Sequence, residues 1–454
     1  MAVWSIIKKS NLEYSRLDPE YYKYKFLEND SFLSSIEVRT YQQLSKSLIT
    51  KGETPLWRGN SYKSQGIPFL RSENLLPLGL NLDKVVYIDK NVNERMARSK
   101  VYPNDILLAI VGATIGVSGR ATNEFSEYNT NQANAIIRPL NEKYSYYFAI
   151  LNETKFIQLQ MERFKGGGSR DNLDLHEVRK IKVPIPSKNI LDFSYASGKQ
   201  IDILRKESKL LYSQAEQILL EELGLKDLDL KDDLFYTTKL KEVKDNNRMD
   251  AEYYMPKYEY VSQVIKKTGY KRFDIMGKFS KNLAKRGKDL NYKYIEIGGI
   301  DVSTGDVSYK EMQGCELPTN AKLKVSGGEL IISKVRPTRG AIAIVPDYLT
   351  NNCLCSGAFS IFKIKSPIRE YIQVFLRSKI GKVLLGHAST GTQYPTITDE
   401  DVNAIPIPDL SKNVIENISN KIFNAHVKRE SAKALLEQAK HKVEEMIEKE
   451  AGEK

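Results

Sequence analysis

The sequence is short of the residues that most often build catalytic and metal centres. It holds four histidines and three cysteines in 454 residues. The histidines are scattered, so we expect neither a metal site nor a catalytic triad. Cys315, Cys353 and Cys355 show no pairing pattern, which argues against a disulfide framework and favours a reducing compartment. Cys353 and Cys355 lie two apart in an apolar run; core packing is the first interpretation and metal binding the alternative.

Long hydrophobic runs and nucleotide-binding signatures are missing as well. No segment offers the roughly 20 apolar residues of a membrane-spanning helix, and the first residues lack the apolar core of a secretion signal. There is no Gly-x-x-x-x-Gly-Lys-Ser/Thr signature and no Asn/Asp-Pro-Pro-aromatic motif with a glycine-bearing cofactor loop. We therefore expect a cytoplasmic protein with no catalytic residue, metal or cofactor of its own. A nuclease site built from dispersed acids and lysines stays open as an alternative.

Length and charge give the first positive indications. A chain of 454 residues with 41% hydrophobic residues is long enough for two cores, so we expect two domains. It carries 69 Lys and Arg against 57 Asp and Glu, a formal net charge of +12. Such a chain suits a polyanionic partner, because each neutralised phosphate releases condensed counterions. Charge alone does not separate nucleic-acid binding from ordinary basic proteins.

The chain repeats itself once. Residues 16–22 (Arg-Leu-Asp-Pro-Glu-Tyr-Tyr) are echoed by residues 248–254 (Arg-Met-Asp-Ala-Glu-Tyr-Tyr). Three further pairs follow in the same order: 104–109 with 328–333, 183–186 with 405–408, and 205–208 with 428–431. Four ordered matches indicate a duplication. We interpret the Arg-x-Asp-x-Glu-Tyr-Tyr segment as the architectural start of each copy, with Arg and Asp pairing locally, rather than as an acidic active site.

Each copy combines strands and helices. Apolar, β-branched runs predict strands; they lie at 84–88, 106–111, 135–137, 330–335, 341–345 and 359–364. Helical patterns follow at 144–160 and 371–385. Strands that come mostly before helices predict an α+β module rather than a regular βαβ winding.

The end of each copy carries a heptad pattern. Apolar or small residues recur at alternating steps of three and four from Ile201 to Leu225 and from Ile415 to Met446, and only Arg429 interrupts the second run. The two runs predict two long helices that pair as an antiparallel coiled coil. Packing of each helix on its own module is the alternative.

Short motifs connect the chain with a known family. The first copy opens with Gly52-Glu53-Thr54-Pro55, Trp57 and an Ile-Pro-aromatic strand at 66–70, and continues with Asn-Asp-Ile-Leu leading into 112–116. The second copy lacks Gly-x-Thr-Pro at its start but ends with a Gly-Thr loop at 389–397 and an Ile-Pro-x-Pro exit. In this order, duplicated and followed by heptad helices, these motifs resemble the specificity (S) subunits of type I restriction-modification systems.

The resemblance implies a domain order: target-recognition domain 1 at 1–190, a central spacer helix at 191–226, a connector at 227–245, target-recognition domain 2 at 246–410, and a C-terminal spacer helix at 411–450. Each domain would read one half of a bipartite double-stranded DNA target, which would be asymmetric because the copies differ. Catalysis would belong to partners. These are two methyltransferase (modification) subunits using S-adenosylmethionine to methylate adenine, and endonuclease/translocase subunits bound through them, which would use ATP and Mg.

Candidate DNA contacts lie in loops that combine base-reading and phosphate-binding side chains. In the first copy they are Arg58, Ser61, Lys63, Arg71, Thr114, Arg120, Asn131, Gln132, Lys165, Ser169 and Arg170; in the second they are Lys285, Arg286, Lys288, Lys334, Arg336, Arg339, Thr390, Thr392, Gln393 and Tyr394. Pro337 fixes part of a turn that would present Arg336 and Arg339 together. For each residue, a solvated charge or a local turn hydrogen bond is the alternative.

Two other functions stay open on the sequence alone. One is a stand-alone sequence-specific DNA-binding or regulatory protein. The other is a specificity subunit of a different methyltransferase-containing defence system.

Overall fold

The computed structural model describes residues 7–8, 12, 17–55, 61–83, 85–165, 172–226, 235–391 and 393–452, and the structural statements below refer to these residues. The chain divides into two compact units. Unit 1 comprises Met1–Arg205 with Glu430–Lys454, and unit 2 comprises Lys206–Arg429.

Unit 1 is built from two four-stranded sheets and flanking helices. One sheet has the order β6-β3-β10-β7 and the other β2-β11-β8-β9, and β1 pairs with β12. The elements are α1 Tyr24–Ser35, β1 Val38–Thr40, β2 Thr50–Lys51, β3 Ile67–Leu70, β4 Leu75–Leu76, β5 Gly79–Leu80, β6 Val86–Ile88, α2 Lys90–Arg95, β7 Lys100–Val101, β8 Ile106–Ala109, β9 Ser118–Arg120, β10 Tyr128–Thr130, β11 Asn134–Ile137, α3 Glu142–Leu151, α4 Lys155–Phe164, α5 Leu175–Lys180, β12 Lys182–Pro184 and α6 Lys188–Glu222.

Unit 2 also has two four-stranded sheets. Their orders are β16-β15-β20-β17 and β14-β21-β18-β19, and β13 pairs with β22. The elements are α7 Leu240–Asn246, α8 Pro256–Thr268, β13 Tyr270–Arg272, α9 Phe273–Met276, β14 Lys278–Ser280, β15 Asn291–Ile295, β16 Lys310–Gln313, β17 Ala321–Lys324, β18 Leu330–Ser333, β19 Ile342–Ile344, β20 Cys353–Ser356, β21 Phe359–Lys363, α10 Ile368–Arg377, α11 Lys379–Ala388, α12 Asp399–Ala404, β22 Pro406–Pro408 and α13 Lys412–Gly452.

The two units share one strand order. Each has a single parallel contact, β3 with β10 in unit 1 and β15 with β20 in unit 2, and the other strand pairs of these sheets are antiparallel. Side chains repeat as well, because the Tyr147 hydroxyl donates to the Pro184 carbonyl at 2.8 Å and the Tyr371 hydroxyl donates to the Pro408 carbonyl at 2.8 Å. The mixed helix and sheet content confirms the α+β class.

Each predicted strand overlaps an observed strand; these are β6, β8, β11, β18, β19 and β21. Both predicted helices, 144–160 and 371–385, are instead two helices each, so the prediction of continuous helices is wrong at Asn152–Thr154 and at Ser378. Ser378 explains the second break, because its side chain accepts a hydrogen bond from the Gly381 N–H and caps a new helix. Gly381 also approaches the Phe375 carbonyl too closely for any Cβ.

The two long helices are α6 and α13, where the sequence predicts helices over 191–226 and 411–450. Both helices contribute to both cores. Ile201 of α6 shares the unit 1 core with α13 residues such as Ala439, and Leu219 of α6 shares the unit 2 core with Ile422. The connector predicted at 227–245 includes the start of α7, and its residues 227–234 lie outside the described part. The proposed domain boundaries stay predictions.

Arg429, which interrupts the predicted heptad pattern, is buried. The Nε, Nη1 and Nη2 atoms of its guanidinium all form hydrogen bonds. It pairs with Asp306 at 2.8 Å and donates to the Ser208 hydroxyl at 2.9 Å and to the Thr304 carbonyl at 3.2 Å. His426 is its fourth partner. The charge is therefore accommodated inside unit 2 by the turn that contains Thr304 and Asp306.

Cys353 and Cys355 lie in β20 within an apolar core cluster of unit 2, as the core interpretation expects. Burial raises the pKa of the Cys353 thiol to about 11. None of the helices in the described ranges is both long and apolar enough to span a membrane.

Candidate nucleic-acid interface

The sharpest candidate from the sequence, Arg336 to Arg339, forms a tight turn directly after β18. Pro337–Arg339 is a single 3-10 turn, and Arg336 before it adopts a left-handed backbone conformation with φ of 49°. A left-handed non-glycine residue is strained by about 1–3 kcal/mol and persists only where its surroundings hold it. Here the Arg336 N–H donates to the Pro395 carbonyl at 2.7 Å.

The turn packs against the loop that contains the predicted Gly-Thr motif. The carbon at the centre of the Arg336 guanidinium lies 4.4 Å from the centroid of the Tyr394 ring, and its Nη2 donates to the Gln393 carbonyl at 3.3 Å. The Ile397 N–H donates to the Lys334 carbonyl at 3.0 Å. Two groups of residues predicted separately therefore form one cluster. We call residues 334–339 together with 389–397 the arginine-tyrosine cluster.

The outer residues of this cluster face solvent. Arg339, Thr390 and Gln393 are exposed, and Tyr394 has 64% of its surface exposed. Thr392 lies outside the described residues. An exposed guanidinium matches the two acceptors of guanine in the major groove, and a flanking aromatic ring can stack or donate its hydroxyl. The chemistry of the cluster therefore fits recognition of nucleic acid.

Lys334 has a different role from the arginines. Its ammonium group lies 2.8 Å from Asp399 at the start of α12, and the Ser360 hydroxyl donates to the same carboxylate at 2.6 Å. Burial alone would raise the pKa of Asp399, but the bonds from Lys334 and Ser360 and the charge of Lys281 outweigh it and hold this pKa below its usual value. Lys334 is thus half of an internal ion pair that supports the base of the cluster.

The other basic candidates of unit 2 are exposed. Lys285, Arg286 and Lys288 belong to the segment between β14 and β15, and Arg286 donates to the Pro318 carbonyl at 2.9 Å. Lys281 at the start of this segment lies 3.6 Å from Asp399. Since Lys334 binds the same carboxylate, the segment begins at the base of the arginine-tyrosine cluster.

In unit 1 the Gly-x-Thr-Pro turn docks on the loop after β10. The Gly52 N–H donates to the Asn134 carbonyl at 3.0 Å, and the Thr54 hydroxyl bonds the Gln132 side chain. A Cβ on Gly52 would lie only 2.0 Å from the Asn131 carbonyl oxygen, so this approach requires glycine. The turn and the candidates Asn131 and Gln132 are therefore brought together, with Gln132 exposed.

The remaining unit 1 candidates are more dispersed. Arg71 pairs with Glu73 at 2.6 Å and Lys63 lies 3.7 Å from Asp89, so both cations have carboxylate partners. Ser61 and Thr114 are exposed, and Lys165 follows α4. Arg58, Ser169 and Arg170 lie outside the described residues.

Arg120 occupies the interior instead of a DNA-facing surface. Only 5% of its surface is exposed, and its guanidinium bonds Asp202 and the Asn104 side chain while lying 4.1 Å from the Tyr146 ring. Its partners lie on α3, on α6 and in the turn before β8. We therefore correct the expectation of a surface contact: Arg120 ties the β8–β9 hairpin to these helices, and we leave it out of the proposed interface.

Sequence reasoning missed two contributors to the unit 2 site. Asp399 anchors Lys334 and Lys281, and Arg248 donates to the Ser389 carbonyl at 3.0 Å while pairing with Asp250. The local Arg248–Asp250 pair was expected, whereas its contact with the Gly-Thr loop was not. The signal for it was the repetition of the Arg-x-Asp segment at the start of each copy.

Family comparison identifies one part of the chain. Residues 34–211 match the family model described as "Type I restriction modification DNA specificity domain". We refer to residues 34–211 by the name of the model that they match, the specificity domain. This confirms the family resemblance of the motifs for that part of the chain. The specificity domain includes all strands of unit 1 and most of α6.

Two solved structures are similar to the chain at low sequence identity. The S subunit from M. genitalium shares 11% identity over 90% of this chain and 94% of its own, with a TM-score of 0.36. The HsdS subunit from Thermoanaerobacter tengcongensis shares 11% identity over 91% and 95%, with a TM-score of 0.29. Both TM-scores are too low for the superpositions to carry an argument. No curated protein sequence matches the chain.

The family match also places the unit 1 candidates. The Gly-x-Thr-Pro turn, the loop after β10 and the β8–β9 hairpin all belong to the specificity domain. The arginine-tyrosine cluster lies beyond the matched residues, in the unit whose sheets repeat the strand order of the specificity domain.

Proposed function

We propose that this chain is the specificity subunit of a type I restriction-modification enzyme and reads an asymmetric bipartite DNA target. One observation carries the proposal: the specificity domain matched in unit 1 has the strand order that unit 2 repeats. Two recognition units in one chain account for a target with two parts. Because the loops of the two units differ, the two half-sites are expected to differ as well.

Base reading in unit 2 is assigned to the arginine-tyrosine cluster. Arg336 is held by Pro395, Gln393 and Tyr394 before any ligand binds, so little side-chain freedom is lost on binding. Arg339 is exposed at the other end of the same turn. In unit 1 the corresponding role falls to the surface around Gln132, with Ser61 and Thr114 as further candidates.

The two long helices are proposed to pair as an antiparallel coiled coil that sets the gap between half-sites. Contacts within unit 2 support antiparallel pairing, because the partner number falls as the α6 number rises: Glu207 with Lys428, Ser208 with Ala425, and Gln214 with Lys421. The length of the paired helices would then fix the number of unread base pairs between the half-sites.

Catalysis is proposed to belong to partner subunits in the cytoplasm. Two modification subunits would methylate adenine with S-adenosylmethionine, and endonuclease/translocase subunits using ATP and Mg would join through them. This chain would supply no catalytic residue and hold no cofactor. Its contribution is to choose where the partners act.

The proposal is tested by co-expression with a modification subunit encoded by the same host. The assembled complex should methylate adenine in a bipartite motif, which methylation-sensitive sequencing of the host genome would reveal. Failure to assemble, together with tight binding of the isolated chain to one continuous site, would instead identify a stand-alone DNA-binding protein. DNA cleavage by the isolated chain with Mg would identify a nuclease.

A further inference from the structure

The segment after β14 runs along the edge strand of a sheet in unit 2. The Ala284 N–H donates to the Lys322 carbonyl at 2.9 Å, and the Lys324 N–H donates to the Asn282 carbonyl at 2.8 Å. Leu283 and Leu323 form the bridge between them. Residues 282–284 of the segment 281–288 are therefore attached to β17, which is the last strand in the sheet order β16-β15-β20-β17.

These two adjacent segments carry charge of one sign only. Residues 281–288 and 319–325 contain six cations and no carboxylate: Lys281, Lys285, Arg286, Lys288, Lys322 and Lys324. All six are exposed. We call this set the basic edge.

Most of the basic edge lacks acidic partners. Among the described residues, Lys281 pairs with Asp399, and no ion pair is found for the other five cations. Exposed cations of α13 behave differently, because Lys433 and Lys442 each pair with a glutamate three residues away. Uncompensated charge at this density raises the local positive potential and attracts polyanions.

The exposed side chains of β17 are arranged so that they could bind a phosphate backbone. Its side chains alternate, with Ala321 and Leu323 buried and Lys322 and Lys324 exposed. Two residues of strand separate the exposed lysines by about 6.6 Å at 3.3 Å per residue. Lysine is a flexible point charge that binds phosphate without reading bases.

An alternative purpose for edge lysines is to prevent strands of other molecules from pairing with the sheet. On β17 this protection is already supplied by the backbone, because residues 282–284 occupy the edge at Lys322–Lys324. The lysines of β17 therefore need another explanation.

We infer that the basic edge binds the phosphate backbone of duplex DNA beside the arginine-tyrosine cluster, with Lys322 and Lys324 as contacts that the sequence motifs did not indicate. The inference rests on the proposed function. The shared anchor Asp399, bound by both Lys281 and Lys334, connects the basic edge with the base of the cluster. The cluster would read bases while the basic edge holds phosphates.

The test compares two charge-matched double variants of the full chain. K322Q/K324Q removes two charges from the basic edge, and K266Q/K267Q removes two exposed charges from the last turn of α8. Binding to a fluorescent random-sequence duplex is measured by anisotropy over a series of salt concentrations. Each lost phosphate contact should reduce the slope of log Kobs against log salt by about 0.9.

We expect the slope to fall by about 2 for K322Q/K324Q and to stay unchanged for K266Q/K267Q, with equal weakening on every duplex sequence. An unchanged slope for K322Q/K324Q, or the same fall in both variants, would overturn the inference while leaving the proposed function intact. Weakening on one sequence only would mean base contacts and would also overturn it. New self-association of K322Q/K324Q with unchanged DNA binding would assign these lysines to edge protection. Absence of duplex binding by the unaltered chain would overturn the inference, and only the same absence in the complex with the modification subunit would also remove the proposed function.

Discussion

The guanidinium of Arg336 lies over the ring of Tyr394 at 4.4 Å, joining two loops that are 58 residues apart in the chain. The contact orients a cation that would otherwise sample many rotamers. It also leaves the Tyr394 ring 64% exposed beside that cation. The most specific predictions about base recognition follow from this prearranged pair.

Replacing Arg336 with Ala should relax the preference for one half-site and leave the other unchanged. The loss should be about 1–3 kcal/mol per base contact, measured as the difference in binding between cognate and substituted half-sites. Arg339→Ala should act on the same half-site. Arg272→Ala, which removes an exposed arginine of β13 outside the cluster, serves as the matched control. Uniform weakening on all sequences would show that the arginines hold phosphates instead.

Gly52→Ala should destabilise unit 1 because the new Cβ would collide with backbone. The nearest atoms are the Asn131 and Thr130 carbonyl oxygens, at 2.0 and 2.3 Å, and neither can move like a flexible side chain. The free energy of unfolding should fall by roughly 1–3 kcal/mol, as for overpacked sites. Gly298→Ala, with nothing within 4 Å of its Cβ, is the control for thermal unfolding. Equal melting temperatures for both variants would refute the steric argument.

Arg429→Met should destabilise unit 2, although it makes the heptad pattern of α13 continuously apolar or small. The substitution removes the ion pair between Arg429 and Asp306 at 2.8 Å, and breaking a buried ion pair from one side costs about 3–5 kcal/mol. Arg429→Met combined with Asp306→Asn should recover part of the loss. Chemical denaturation measures both. A single variant as stable as the original chain would show that the ion pair contributes nothing to unit 2.

Glu153 predicts a pH dependence of the stability of unit 1. Burial raises the pKa of its carboxyl from 4.5 to about 7, Lys440 and Arg205 partly oppose the shift, and Glu437 adds to it. Because the folded-state pKa is the higher one, the folded state binds the proton more tightly. Stability from this group is therefore complete below pH 4.5 and is lost as the pH rises to about 7.

Glu153→Gln removes that titration. The variant should gain stability relative to the original chain as the pH rises from 5 to 8, as measured by thermal unfolding at several pH values. Glu437→Gln tests the neighbouring charge and should give a smaller effect of the same sign. A constant difference across the pH range would contradict the assigned shift.

Adding one heptad to both α6 and α13 should widen the gap between half-sites. Seven residues extend a helix by about 10 Å, which corresponds to about 3 base pairs at 3.4 Å each. The insertion should leave the bases of each half-site unchanged, as determined by selection from a duplex library. A gap that does not change would remove the spacer role from the helices.

Sequence patterns predicted local structure better than they predicted contacts between distant segments. Short apolar, β-branched runs located β8, β18 and β21 because the preference of such runs for strands is local. They did not show that helices would break at Asn152 and Ser378. At Ser378 a capping side chain outweighs continuous apolar periodicity, whereas Thr154 at the start of α4 makes no side-chain cap. The internal repeat was visible in the sequence, while the shared strand order needed the pairing of strands far apart in the chain.

The candidate site shows the same limit. The sequence selected Arg336, Tyr394 and Arg120 as candidates, since each lies in a loop or hairpin beside polar residues, and it ranked Arg336 higher only because of the proline turn. Only the fold separates them: Arg336 meets Tyr394 at the surface, whereas Arg120 is buried against Asp202 and Tyr146. Lys322 was not predicted because a single lysine in a strand is not part of any sequence motif. Only the pairing of β17 with the neighbouring segment shows that other cations lie beside it.

The central claim, that two dissimilar units read one DNA target, is tested most directly by selection. The chain assembled with a modification subunit would be used to enrich binding sites from a random duplex library, followed by sequencing. The account predicts two dissimilar half-sites separated by a fixed gap, with Arg336→Ala relaxing one half only. A palindromic site, a single continuous site, or relaxation of both halves by Arg336→Ala would contradict it.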